Sequence, residues 1–296
     1  MKCFAGIAAC LLVATSSIHG QAPEADERLE RLEASVTGKG PHSTKRLTER
    51  AGIRNGPDYD GATIYYPVDL EGPLPGMVIV PGYLSPESAV APWGPFLASH
   101  GIVTMTIGTN RRGAMPEARA DALLDAVRSL QAEDLREDSP LFGRLDVERI
   151  GVGGWSMGGG GAQLAAVQDP ELDVVLALCP WKPGASFEHP VPVMILGAER
   201  DRPAPVNLHA LAHYKKTPKE TPRLYFEVEG ARHSLAYSPR NADGDVGRIA
   251  LIWLKCFLED RPEYQSLLEV EPPSASRFLI EIPDSEEKPP PTKTSE

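Results

Sequence analysis

The chain has 296 residues, of which 42% are hydrophobic and 24% are charged, and its formal net charge is −11. These proportions are typical of a globular protein with a full hydrophobic core. The acidic balance argues against nucleic acid or an anionic membrane as the main partner, because both would repel the chain. A neutral polymer or ester is compatible with this charge.

Residues 1–20 have the pattern of a secretory signal peptide. Lys2 gives the positive start, an apolar run follows over 3–14, and Gly20 is a small residue that suits cleavage. The run is too short for a transmembrane helix, and no other segment reaches the ~18 apolar residues that one needs. A lipoprotein signal at 7–10 is the alternative, but the apolar run continues beyond it. We therefore expect a secreted protein, extracellular or periplasmic, without a membrane span.

Removal of this segment leaves two of the four cysteines, Cys179 and Cys256. Secretion permits a disulfide, but Cys179 ends an apolar run that suits a buried strand and Cys256 falls in an apolar helix. We predict two separately buried free thiols. Neither spacing suggests a metal site, and the sequence implies no metal or organic cofactor.

One domain, at 38–283, is predicted between two charged ends. Residues 21–37 carry alternating charges that suit a short solvated helix, and 284–296 carry the prolines and charges of a disordered tail. Between them, strand-like runs alternate with helical patterns, which predicts a mostly parallel sheet with helices on both faces. Ligands of such sheets bind at the carboxyl ends of the strands. The predicted strands are 63–66, 77–80, 102–107, 149–153, 174–178, 193–196 and 223–228, and the predicted helices are 118–130 and 249–258.

The segment Gly154–Gly158 has the sequence Gly-Trp-Ser-Met-Gly, directly after predicted strand 149–153 and before a run at 159–167 that suits a helix. This is the pattern of a nucleophile elbow. Small residues two before and two after Ser156 let the backbone pass close by, and the turn places Oγ near a helix N-terminus. A glycine-rich turn without chemistry is the alternative, but the strand–turn–helix context favours Ser156 as a nucleophile.

A serine nucleophile needs a base, and the base needs a carboxylate that orients it, in the chain order Ser, acid, His. Asp201 lies just past predicted strand 193–196, at the edge where such an acid belongs, and Glu199 on the same loop is the alternative. His233 follows predicted strand 223–228 in the same way and is the predicted base. The weaker candidates, each predicted to be a surface or helix-end residue, are His42, His100, His189, His209 and His213.

The tetrahedral intermediate of ester hydrolysis needs two N–H donors. Met157, directly after the nucleophile, is predicted to supply one, and Tyr83, on the loop after predicted strand 77–80, the other. Gly82 allows a tight approach of that loop. The Tyr83 ring can line the acyl site or cover the core, and the two roles can coexist.

Several further segments form a combined pattern that is characteristic of one protein family. They are Ala62–Pro67, Pro81–Tyr83, Trp93–Pro95 with Leu97–Gly101, Gly154–Gly161, Pro180–Trp181, Gly197–Glu199 with Asp201, Gly230 with His233–Ser234, and Trp253–Lys255. On these segments, from about Gly61 to Leu268, the chain resembles the bacterial cutinase and polyethylene terephthalate hydrolase family. Together they are more specific than the elbow alone.

The resemblance implies an α/β-hydrolase fold with no large lid. It implies the triad Ser156, Asp201 and His233, and an oxyanion hole formed by Tyr83 and Met157.

The resemblance also implies substrate contacts. Trp181 is expected to stack on the substrate, and a flat acyl group would gain ~1 kcal/mol per ring contact with Trp181 or Tyr83. Trp155 and Ser234 resemble the polyethylene terephthalate hydrolase version of the cleft, where cutinases usually have His and Phe. The small Ser234 would widen the cleft, so Tyr83, Trp155, Trp181 and Ser234 are the predicted substrate contacts.

The chain also departs from the family. Leu84 stands where relatives often have Thr, and Lys182 stands where His or Asp is usual. The usual C-terminal disulfide is absent from the sequence. These differences bear on substrate preference and thermal stability and leave the ester chemistry intact.

The sequence therefore predicts a secreted, monomeric serine esterase that hydrolyses polyesters such as polyethylene terephthalate through an acyl-enzyme. One alternative is an esterase of small esters or lipids, similar to platelet-activating-factor acetylhydrolases. Another is a non-catalytic binding protein with a hydrolase fold, against which the complete triad and oxyanion loop argue.

Overall fold

The computed structural model describes residues 22–283, so the predictions of a signal peptide and of a disordered tail concern residues outside this range. Strands alternate with helices along most of the described chain. The strands are β1 (Thr44–Thr48), β2 (Ala62–Pro67), β3 (Leu74–Val80), β4 (Val103–Ile107), β5 (Leu145–Trp155), β6 (Val175–Leu178), β7 (Val193–Ala198), β8 (Arg223–Val228) and β9 (Ala275–Glu281). The helices are α1 (Ala22–Val36), α2 (Trp93–Ser99), α3 (Pro116–Ala132), α4 (Met157–Gln168), α5 (Ala210–Lys216) and α6 (Asp245–Phe257).

These strands form one sheet in the order β1-β2-β4-β3-β5-β6-β7-β8-β9. Strands β3 to β8 run parallel, whereas β1, β2 and β9 pair antiparallel at the two edges. Strands β3, β6 and β7 are buried along their whole length, as expected for parallel strands covered on both faces. The predicted α/β-hydrolase architecture with a mostly parallel sheet is confirmed.

The order of the sheet reverses at β3. The chain first places β4 on one side of β3 and then returns to place β5 on the other side. The carboxyl ends of β3 and β5 therefore border the crevice where ligands of this architecture bind. Loops and short helical turns follow the strands at this edge, and no lid domain is inserted there within residues 22–283.

Alternate residues of the central strands enter two separate cores. Val78 and Val80 of β3 pack with helices α3, α4 and α5 on one face of the sheet. Met77 and Ile79 pack with α2 and α6 on the other face, where Trp253 is fully buried. This period of two places an apolar layer on each side of the strands, so both faces need helices to exclude water.

Helix α1 forms over the charged segment that the sequence predicted to be helical. Its last residue, Val36, is fully buried. Near it, Ser35 Oγ and the Tyr264 hydroxyl hydrogen-bond at 2.8 Å, and Arg248 of α6 pairs with Glu33 at 3.0 Å. The helix therefore packs its C-terminal turns onto the domain. No helix within the described range is long and apolar enough to cross a membrane.

Cys179 and Cys256 are both buried and unbridged, which confirms the prediction of two free thiols. Burial raises the pKa of both thiols, that of Cys256 to about 12 and that of Cys179 well above its ordinary value. Both therefore stay protonated and behave as small apolar side chains.

A buried carboxylate on α3 binds the loop between β1 and β2. Asp125 accepts hydrogen bonds from Arg54 at 3.0 Å, from Arg128 at 3.2 Å and from the Asp58 N–H at 3.1 Å. Burial by itself would raise the pKa of Asp125, but these donors outweigh burial and hold the pKa below its ordinary value.

We predict that Asp125→Asn lowers the free energy of unfolding by about 3 kcal/mol at pH 7, because Arg54 loses its buried partner. A depressed pKa stabilises the fold above the unfolded value of about 3.9 and loses that effect as the pH falls through the folded value. The difference between the two proteins should therefore shrink at pH 3. Urea unfolding at both pH values measures it, with Asp121→Asn, exposed on the same helix, as the control. A difference independent of pH would contradict this prediction.

Candidate active site

Ser156 forms the turn between β5 and α4. Its φ of 59° and ψ of −121° are strained for a residue with a Cβ, and neighbouring backbone groups stabilise this conformation. The Ser156 N–H donates to Leu178 O of the adjacent strand at 2.9 Å, and the Ser156 carbonyl accepts from Gly160 N at 3.1 Å. Helix α4 therefore begins immediately after Ser156, with its N-terminal dipole next to the hydroxyl.

Two glycines allow other backbone segments to approach this turn. A Cβ on Gly158 would lie 2.5 Å from Val80 O, which is closer than atoms in van der Waals contact. A Cβ on Gly82 would lie 2.7 Å from Ser156 Cβ. The loop after β3, which carries Tyr83, therefore lies directly against the serine. Met157, the other predicted N–H donor, is the first residue of α4.

The structure brings Ser156, His233 and Asp201 together from three separate loops. The Ser156 hydroxyl donates to His233 Nε2 at 2.9 Å, and His233 Nδ1 donates to Asp201 Oδ2 at 2.6 Å. A carboxylate only accepts hydrogen bonds, so the proton of the neutral ring lies on Nδ1 and Nε2 is free to accept. The serine therefore has a base within reach, and the base has a carboxylate that sets its tautomer.

The acid and the base are supported by their own loops. Asp201 is buried, and its second carboxylate oxygen accepts from Ala204 N at 2.8 Å. The loops themselves continue the pairing of β7 with β8, because Glu199 N donates to Val228 O at 3.1 Å and Arg200 N to Ala231 O at 2.8 Å. These bonds fix the distance between the two loops.

The alternative residues occupy other positions. The exposed Glu199 accepts a hydrogen bond from Gly230 N at 2.6 Å, so it supports the base loop and makes no hydrogen bond to His233. Among the histidines of the described chain, His233 alone hydrogen-bonds Ser156. The other candidates contact different groups: His42 contacts Asp69, His100 contacts Phe96 O, His209 contacts Lys182 N, His213 contacts Gln163 and Lys182 O, and His189 lies buried without a side-chain hydrogen bond.

Trp155 contacts both the backbone and the ring of the base, His233. Its indole N–H donates to His233 O at 3.1 Å, and its ring lies 5.1 Å from the His233 ring and 4.6 Å from the Tyr237 ring, centroid to centroid. Only 5% of Trp155 is exposed. The structure therefore leaves little of this side chain for the substrate contact that the sequence predicted, and gives it a role in fixing His233.

Trp181 lies beside the nucleophile. Its backbone N–H donates to Ser156 O at 2.8 Å, and its ring stacks on His209 with centroids 5.6 Å apart. His209 in turn accepts from Lys182 N, and His213 donates to Lys182 O at 2.8 Å. Burial lowers the pKa of both histidines, that of His213 to about 4, so both are neutral at pH 7. The sequence had not linked either histidine to Trp181.

Two aromatic side chains and one small side chain are exposed on the loops that carry the site. Tyr83 is 52% exposed and Tyr237 is 41% exposed. Ser234, next to the base, is also exposed. Tyr237 was not among the predicted substrate contacts, although its position four residues after His233 places it on the short helical turn that carries the base.

A serine–histidine–aspartate triad at the elbow of a parallel sheet defines a serine hydrolase of the α/β-hydrolase fold. A family model described as PET hydrolase-like matches residues 22–286. The chain therefore belongs to the PET hydrolase-like family, as its sequence motifs predicted.

Curated relatives cover most of the chain. The bis(hydroxyethyl) terephthalate hydrolase of Streptomyces coelicolor is 35% identical over 271 residues, which is 89% of this chain and 84% of the relative. Cutinase est2 of Thermobifida alba is 34% identical over 77% of this chain and 74% of the relative. Cutinase 1 of Thermobifida cellulosilytica is 34% identical over 80% of this chain and 86% of the relative.

We predict that Trp155→Phe lowers kcat by roughly fivefold, because loss of a hydrogen bond worth about 1 kcal/mol lets the His233 loop move. Steady-state hydrolysis of 4-nitrophenyl butyrate measures the effect. Trp253→Phe is the matched control, because the buried Trp253 indole N–H has no hydrogen-bond partner in the described structure. Equal kcat values for the two variants would argue against a role for the Trp155 N–H.

Proposed function

We propose that the protein hydrolyses polyesters, polyethylene terephthalate among them, through an acyl-enzyme on Ser156. The observation that carries this proposal is the unbroken chain of hydrogen bonds from Ser156 through His233 to Asp201, flanked by Tyr83 and Trp181. A reactive serine beside exposed or stacked aromatic rings suits an ester with a flat acyl group.

Acylation begins when Ser156 Oγ attacks the ester carbonyl carbon while His233 Nε2 takes the hydroxyl proton. The carbonyl oxygen becomes an oxyanion that accepts hydrogen bonds from the Tyr83 and Met157 N–H groups. The intermediate collapses as the C–O bond to the alcohol breaks, and His233 returns the proton to the departing alcohol. Asp201 keeps Nδ1 protonated and stabilises the imidazolium formed in between.

Deacylation repeats these steps with water as the nucleophile. His233 Nε2 takes a proton from water, whose oxygen attacks the acyl carbon. The second tetrahedral intermediate collapses with cleavage of the bond to Ser156 Oγ, and the proton returns to the serine. The products are a carboxylic acid and the regenerated enzyme. Both halves use the same base, acid and N–H donors of the chain.

The relatives support esters of this kind as substrates. Two of them are named cutinases, and one is named for bis(hydroxyethyl) terephthalate, a soluble terephthalate diester. That last name favours a second candidate, a hydrolase of small soluble esters with the same triad. The two candidates differ in polymer access and share all chemical steps.

The signal peptide predicted at residues 1–20 supports secretion, which we include in the proposal. We also propose a monomeric enzyme that needs no nucleic acid or cofactor, as the composition and motifs indicate.

We predict that the wild-type protein releases terephthalate esters from amorphous polyethylene terephthalate powder and that Ser156→Ala releases none, because the variant lacks the hydroxyl that forms the acyl-enzyme. Chromatography of soluble products measures release, and circular dichroism checks that the variant is folded. A fluorophosphonate should label the wild type only. Cleavage of short nitrophenyl esters without release from the polymer would establish the small-ester candidate, and retained activity in Ser156→Ala would overturn the assignment of the nucleophile.

We predict that Trp181→Ala lowers product release from the polymer by roughly fivefold, since one ring contact is worth about 1 kcal/mol. Hydrolysis of 4-nitrophenyl acetate, which is too small to span the cleft, should change less. Phe142→Ala is the control, because Phe142 is an exposed aromatic residue that lies between α3 and β5, away from the carboxyl edge. Equal losses on both substrates would mean that Trp181 supports Ser156 and does not bind polymer.

A further inference from the structure

Arg119 of α3 is a fully buried side chain with three backbone carbonyl partners. Its Nη1 donates to Pro81 O at 2.8 Å, Nη2 to Arg112 O at 2.8 Å and Nε to Ala114 O at 3.2 Å. Within the described chain, no carboxylate forms an ion pair with it. Burial lowers the pKa of Arg119 to about 10, so the guanidinium still carries its charge at neutral pH.

Two of these acceptors lie on either side of the Tyr83 N–H. Pro81 O belongs to the peptide that precedes the Gly82–Tyr83 peptide, so its bond to Arg119 orients the backbone on the N-terminal side. On the C-terminal side, Leu84 N donates to Arg112 O at 2.8 Å, and Arg112 O is itself held by Arg119. One side chain therefore fixes both ends of the segment that presents the Tyr83 N–H.

Arg119 also packs against α4, the helix that follows Ser156. A Cβ on Gly161 of α4 would lie 2.8 Å from Arg119 Cβ, and a Cβ on Gly158 would lie 2.7 Å from Pro81 O. The guanidinium and its acceptors thus lie at the junction of α3, the loop after β3 and the first turns of α4. The Tyr83 loop and the helix that begins with Met157 are positioned against the same group.

Stability alone does not account for a cation at this place. Moving a charge out of water costs several kcal/mol, and a well-packed apolar side chain often stabilises a buried position more than an ion does. The planar guanidinium carries its donors on three separate nitrogens and so reaches three separate carbonyls, whereas the three N–H donors of lysine share one nitrogen and methionine has none. The residue type suits a requirement for fixed backbone geometry.

We propose that Arg119 is a positioning residue of the oxyanion hole, which holds the Tyr83 N–H in line with the Met157 N–H so that both point at the developing oxyanion. The inference rests on the proposed esterase function and extends it to a residue outside the triad. Its positive charge is held against the loop that carries Tyr83 through the bond to Pro81 O.

The test compares Arg119→Met and Arg119→Lys with a matched control. Arg144 makes the same type of bonds, to Pro140 O, Pro67 O and Leu70 O, but it precedes β5 and so lies at the opposite edge of the sheet. Arg144→Met should lower stability and leave kcat unchanged. Enzyme concentrations are corrected by fluorophosphonate titration of the active serine.

For Arg119→Met we expect kcat on 4-nitrophenyl butyrate to fall about 100-fold, within the range for loss of an oxyanion donor, with KM changed less than about twofold. Arg119→Lys should lose about tenfold, because it keeps the charge and reaches fewer carbonyls. A second measurement uses a ¹³C-labelled trifluoromethyl ketone, which forms a hemiketal with Ser156. The pKa of that hemiketal, followed by NMR, should rise by about one unit or more in Arg119→Met, since a tenfold loss of stabilisation equals one unit.

The results distinguish the role of Arg119 from the proposed esterase function. If the wild type hydrolyses the ester and both Arg119 variants keep its kcat and its hemiketal pKa, the role of Arg119 is overturned and the esterase proposal stands. If Arg119→Met does not fold, Arg119→Lys carries the test, and an unchanged kcat in that variant overturns the role. If the wild type neither hydrolyses the ester nor forms the hemiketal, both proposals fail.

Discussion

The backbone contact between the loop after β3 and the turn after β5 is the constraint on which the site depends. Glycine at positions 82 and 158 lets these segments approach Ser156 more closely than any larger residue would allow. The contact exists because β3 and β5 are neighbours at the point where the strand order reverses. Sheet topology therefore places the Tyr83 loop, Ser156 and the N-terminus of α4 within one crevice.

Three residues with a strained backbone lie at this same edge of the sheet. Leu84, Ser156 and Cys179 have positive φ values, and they follow β3, β5 and β6 in turn. Such residues cost of order 1–3 kcal/mol each, so the surrounding structure has to compensate. Two complete apolar layers and the paired acid and base loops supply that compensation. The strained backbone of the site therefore depends on the packing and hydrogen bonds of the surrounding scaffold.

The central architecture and the triad positions follow from sequence because each depends on a short local signal, an apolar strand followed by a turn. Strands β1 and β9 were not predicted. Most residues of both strands are exposed or partly exposed, and neither strand has the buried apolar run that marks an inner strand. The stack of His209 on Trp181 and the bonds of Arg119 join segments far apart in the chain. Their partners are backbone atoms or distant rings, which no local pattern reveals.

Strand β9 sets a limit for shortened versions of this enzyme. It pairs antiparallel with β8, and Glu229 N donates to Ser274 O at 2.9 Å, just beyond the paired segment. At the other end of the pair, Glu281 accepts from Tyr214 at 3.0 Å and from Arg223 at 2.5 Å. A truncation that removes these residues would turn β8 into an open edge strand and expose the strand that leads to His233 to aggregation. Purification tags and fusion partners at the C-terminus therefore have to leave β9 intact.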